Sequence, residues 1–157
     1  MKNGVGFLVL IFLSVLSVEH GRAQTPSLAG TWKLDVAKSK YSPRPVPKSE
    51  SVTYESSRDG YTYKVTATEA DGSPTNLTGS LLFDGKYVAT TGSPDYDTVA
   101  TRRIDAYTSE TTRKKNGTVV QTVRRVLSRD GKTLTLTTTG TNARGDSINN
   151  VGVYERQ

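Results

Sequence analysis

Five turn dipeptides punctuate this chain: Asp59-Gly60, Asp71-Gly72, Asp84-Gly85, Asn116-Gly117 and Asp130-Gly131. Dipeptides of this kind suit two-residue hairpin turns, whose central residues need positive φ. Between them the apolar period is two. Tyr61, Tyr63, Val65 and Ala67 alternate with Thr62, Lys64, Thr66 and Thr68, and Leu134 and Leu136 alternate with Thr133, Thr135 and Thr137. Such a pattern cannot line one side of a helix but fits a half-buried pleated strand. It predicts strands near 29–37, 50–57, 61–69, 76–84, 86–91, 97–104, 106–114, 118–128, 132–139 and 147–156, with no helix. Ten short antiparallel strands leave edges that template aggregation unless the sheet closes on itself. The expected fold is therefore all-β, an antiparallel up-and-down β-barrel of about eight to ten strands. A sandwich is the alternative.

Residues Met1–Ala23 have a different character. Lys2 precedes an apolar run from Val5 to Val18, and Gly21-Arg22-Ala23 puts small residues at −3 and −1 of a cleavage site. This is the pattern of a secretory signal peptide, and the run is short for a membrane span. Residues 1–23 are read as the leader and 24–157 as a single barrel domain. The expected location is periplasmic or extracellular, with no transmembrane anchor. The only His (His20) and the only Met (Met1) fall in the leader, and the chain has no Cys. A chain cleaved after Ala23 lacks Ser-His-Asp and Cys-His catalysis, haem ligation by these side chains and ordinary zinc sites. No metal and no cofactor are expected, nor enzymatic activity. Apolar residues are only 34% of the chain, but its eight Tyr and many Thr favour strands over disorder.

Residues 38–48 carry Pro43, Pro45 and Pro47. That spacing excludes a central strand and predicts an extended loop, either a surface connection or a lid over one barrel mouth. On the strand near 118–128, Arg125 is in phase with Val123 and Leu127 while Arg124 takes the opposite side. An Arg pointing into a barrel needs an internal acid, a watery cavity or a bound anion, because an unpaired buried charge is costly. Arg103 and Arg102 pose the same question, since neither face of their strand is clearly apolar. Tyr54, Tyr61, Tyr63, Tyr87 and Tyr107 are candidates to line a cavity or to pair across the surface, with Tyr61 and Tyr63 the best lining positions. Arg144-Gly145-Asp146 reads as turn chemistry. The basic residues, net +6 over the chain, are scattered rather than striped, which argues against nucleic acid as a partner.

The segment Leu28-Ala29-Gly30-Thr31-Trp32-Lys33-Leu34 resembles the opening strand of the calycin barrels, the lipocalins and fatty-acid-binding proteins, whose mark is Gly-x-Trp. The run Asn149–Arg156 is similar to the last strand of the fatty-acid-binding proteins, which ends in Arg-x-Tyr and an acidic-basic pair. The resemblance implies that Gly30, Trp32 and Arg156 close the barrel, with Arg156 stacked over Trp32. It also implies an inward Arg near position 125. In that family the Arg and Tyr of Arg-x-Tyr hold a fatty-acid carboxylate; here only Tyr154 carries over, because Gly152 stands in place of the Arg. The chain also looks like a group of small secreted bacterial proteins that share a Gly-Thr-Trp-Lys-Leu opening, a Lys-Ser-Lys-Tyr-Ser-Pro loop and an Asp-Gly-Lys-Thr-Leu hairpin. That likeness implies export but no particular activity.

Two readings of function follow. One is a secreted lipocalin-like, monomeric binding protein for a small hydrophobic, amphiphilic or anionic ligand, with Arg125, Tyr154, Tyr61, Tyr63 and Arg103 as ligand-binding residues. The other is an envelope-associated interaction or inhibitor module with a filled barrel and no ligand. An interior pocket of several hundred Å³ separates the first from the second.

Overall fold

Alternation with Gly turns gives ten antiparallel strands in a computed structural model that describes residues 26–157. The leader expected over residues 1–23 lies outside them. The strands are β1 (Gly30–Leu34), β2 (Ser49–Ser57), β3 (Gly60–Thr68), β4 (Pro74–Leu82), β5 (Val88–Ala89), β6 (Thr98–Arg103), β7 (Thr108–Lys115), β8 (Thr118–Leu127), β9 (Thr133–Thr141) and β10 (Ser147–Arg156). The β7–β8 hairpin shows why the turn dipeptides matter. Asn116 and Gly117 have φ of 49° and 80°, the pair of positive angles such a turn requires.

Each strand pairs with its neighbour in sequence, and β1 pairs with β10, Trp32 facing Arg156 and Leu34 facing Tyr154. The sheet thus curls until the first and last strands meet, as the resemblance implied. The remaining seam runs between β4 and the short β5–β6 pair. Two backbone hydrogen bonds between Thr78 and Thr91, at 2.9 and 3.0 Å, stitch it at one level, and an antiparallel bridge between Asp84 and Arg102 does so at another. The architecture is a nearly closed, all-β, up-and-down barrel.

Register follows the pattern read from the sequence. Val52, Tyr54, Tyr63, Val65, Leu77, Leu134 and Leu136 face inward, while the intervening Thr and Lys residues face out. Two strands are shorter than expected by three residues or more. Strand β1 stops at Leu34 instead of residue 37, and the 86–91 segment is regular only at Val88–Ala89. The second case follows from Gly85 and Gly92, both at positive φ, which turn the backbone out of extended pairing on either side.

One end of the barrel is plugged. Trp32 is fully buried, and its indole N–H donates to Leu28 O at 2.8 Å. The Arg156 guanidinium lies 4.2 Å above the ring and donates to the carbonyls of Gly131 and Ser27, both at 2.7 Å, and of Ala29. Gly30, at φ 120°, leaves room for that guanidinium, since a Cβ there would sit 3.0 Å from Arg156 Nη1. Gly30, Trp32 and Arg156 therefore form one closing unit.

Candidate functional site

The opposite end carries the Pro-containing loop. Strand β10 is twice as long as β1, so half its edge would lack partners. The loop supplies them. Asp35 N–H donates to Val153 O at 2.8 Å, Lys40 and Val151 exchange two backbone bonds at 2.7 and 2.8 Å, and Asn149 N–H donates to Ser42 O at 3.0 Å. Beyond Ser42 the prolines, which have no N–H to satisfy, carry the chain across the mouth. Arg44 reaches Asp95 on the far rim at 3.5 Å, Val46 packs against the core and Pro47 is buried.

Beneath it is a cavity of about 350 Å³ lined by Val52, Tyr54, Tyr63, Val65, Leu77 and Leu136 together with Glu50, Glu69, Arg113 and Arg125. A second lobe of about 210 Å³, more polar, lies directly under the loop against Tyr41, Gln121, Asn150 and Tyr154. The lobes share Arg44, Glu50, Glu69, Asp95, Tyr96, Arg113 and Leu136, so they are parts of one interior.

Arg125 is 4% exposed and points inward. Its Nη1 donates to Thr111 Oγ1 at 2.6 Å, and Thr111 in turn lies 2.8 Å from Thr101 Oγ1. Its Nε has no partner, and no carboxylate lies within ion-pair distance among the described residues. Of the environments an inward Arg requires, the internal acid is thus not the one found. Tyr154 is buried, and its hydroxyl donates to Glu50 Oε1 at 2.7 Å. Burial pushes the Glu50 carboxyl above its usual range and Glu69 adds to the rise, while the Tyr154 hydrogen bond and Arg113 oppose it. Burial and then Glu50 push the phenols of Tyr154 and Tyr41 up. Arg113 donates to Gln121 Oε1 at 2.9 Å and lies 4.2 Å over the Tyr96 ring.

The five residues singled out for binding do not gather in one place. Arg125 and Tyr63 line the larger lobe and Tyr154 the smaller. Tyr63 also bonds Thr90 Oγ1 at 3.2 Å, across the seam. Tyr61 and Arg103 sit at the plugged end, where Arg103 lies 4.2 Å over Phe83 and Tyr61 packs edge-on against the same ring. The inner face of their strands is right, but their height along the barrel takes them away from the cavity. Tyr54 belongs to the cavity wall, whereas Tyr87 is exposed beneath Lys114.

Sequence reasoning overlooked Glu50, Glu69, Arg113, Tyr96 and Tyr41. Glu50 was accessible, being in phase with Val52 and Tyr54. Arg113 shares its inward face with Thr111 and Ser109, which give no apolar signal. Glu69 ended the expected strand 61–69, in phase with Tyr63 and Val65, whereas Tyr96 lies in a connection outside any alternating run.

No protein-family model matches the chain, and no curated protein matches it. Among solved structures, the chain is similar to zebrafish ileal bile acid-binding protein, crystallised with cholic acid, at 10% identity and a TM-score of 0.46. The alignment covers 82% of this chain and 98% of that one. What the fold and the site define together is an up-and-down β-barrel, plugged at one end, with a mixed apolar and charged cavity behind a loop at the other.

Proposed function

We propose that the protein is an exported carrier that holds a small amphiphile inside the barrel. The single observation that carries this reading is Arg125, a buried guanidinium without a counter-ion, on the wall of a cavity that combines apolar and charged side chains. Leaving such a charge unmated costs stability, and an acceptor on a bound molecule would offset that cost. The apolar walls from Val52 to Leu136 would hold the ligand's body. A cavity of this volume disfavours the filled interaction module, whose interior would be packed with side chains. The leader over Met1–Ala23 supports export.

Native mass spectrometry of the protein purified from its own source tests the reading. A carrier shows a discrete mass adduct that is reduced in Arg125→Leu. Bare protein in both, with neither dodecanoate nor dodecanol binding when added, contradicts it.

A further inference from the structure

The cavity wall carries unmated charges of both signs, which bears on what the carrier carries and rests on that reading. Among the described residues only one ion pair touches the cavity, Arg44 with Asp95 at its rim. Glu50, Glu69, Arg113 and Arg125 have no opposite charge within 4.0 Å. Each carboxylate is bonded through one oxygen alone: Glu50 Oε1 accepts from Tyr154 at 2.7 Å and Glu69 Oε1 from Thr75 at 2.7 Å. Their Oε2 atoms have no protein donor among the described residues. The charges are also ordered along the barrel. Glu50 opens β2 directly after the loop and Glu69 follows the last residue of β3, so both lie at the mouth. Arg125 lies deeper, where its side chain also reaches the small pocket at the plugged end.

We infer that the ligand is an amphiphile with charges of both signs, its cationic group at the mouth facing Glu50 and Glu69 and its anionic group deeper, facing Arg125. An amphiphile with one anionic head would satisfy Arg125 and leave the free Oε2 atoms of the two mouth carboxylates without a donor, since the neighbouring Arg113 is bonded to Gln121 and stacked on Tyr96 and Arg44 is paired with Asp95. A purely cationic one would do the reverse. Arg125 is buried, and Glu50 and Glu69 are half-buried with one carboxylate oxygen each left without a protein donor, so a ligand that pairs both sets is the better complement.

Calorimetric titration with four probes of equal chain length tests this: ω-aminododecanoate, dodecanoate, dodecylamine and dodecanol. An ammonium at the tail of a fatty acid weakens binding to a purely apolar barrel, because it must be desolvated. Here ω-aminododecanoate is expected to bind about tenfold tighter than dodecanoate or dodecylamine. The double variant Glu50→Gln/Glu69→Gln, nearly isosteric, should remove that advantage and leave dodecanoate bound at least as well. Arg125→Met should weaken both carboxylates and spare dodecylamine. The ranking in the unmodified protein decides even if a variant fails to fold. If dodecanoate or dodecanol binds as tightly as ω-aminododecanoate, the two-charge inference is overturned while the carrier reading stands. If none of the four binds, both fall.

Discussion

The missing side chain at position 152 decides what Tyr154 does. A Cβ on Gly152 would lie 2.8 Å from the Tyr154 ring and 3.2 Å from the Tyr41 hydroxyl, so the space beside position 152 is filled by two phenols. Tyr154 is thereby turned onto Glu50, and the inward cation comes from β8 as Arg125. Because that guanidinium is buried without an acid, an apolar residue of similar length should improve the empty protein. Arg125→Met is expected to raise stability in urea by about 1 kcal/mol, and a loss instead would show that Arg125 is well solvated as it stands. Glu50 gives a pH-dependent test. Its folded-state pKa lies above the ordinary value of 4.5, so the folded state holds the proton more tightly and stability falls as pH rises through that window. Glu50→Gln still accepts the Tyr154 hydrogen bond and escapes that loss. Its stability should match the unmodified protein below pH 4.5 and exceed it at neutral pH; parallel profiles would contradict the assignment.

Single elements divide into those whose role follows from local pattern and those set by the closed sheet. Strands β3 and β9 were legible residue by residue, because period-two alternation between apolar and Thr or Lys positions leaves only one face to bury. The closing unit of Gly30, Trp32 and Arg156 was legible through resemblance, and its chemistry predicts its weight. Removing Arg156 strands the carbonyls of Ser27, Ala29 and Gly131 and uncovers Trp32, so Arg156→Ala should cost about 2–4 kcal/mol in urea unfolding. A change within about 0.5 kcal/mol would mean the plug holds without it. The loop after β1 was only half legible. Three prolines exclude a strand, but nothing local reveals that Asp35–Ser42 continues along β10 and borrows its free edge. Bonding to that loop predicts that the amides of Val151 and Asn149 exchange with deuterium as slowly as the interior of the β9–β10 ladder. Fast exchange there would show the loop lifting away from the mouth. The cavity's mouth was the least legible part, since Asp95 and Tyr96 come from a connection that only barrel closure brings to Glu50 and Glu69.

For the whole molecule, the claim on which everything rests is that the barrel is hollow behind the loop and takes an amphiphile inside rather than on its outer surface. The inner and outer faces carry distinguishable methyl groups. Val52, Leu77 and Leu136 line the cavity, whereas Val126 is exposed and Val151 and Val153 occupy the outward register of β10. The most direct measurement is a methyl-resolved NMR titration with dodecanoate. Val52, Leu77 and Leu136 should shift and saturate near one equivalent while Val126, Val151 and Val153 stay fixed. Shifts confined to the outer valines, or shifts that never saturate, would contradict an interior binding site.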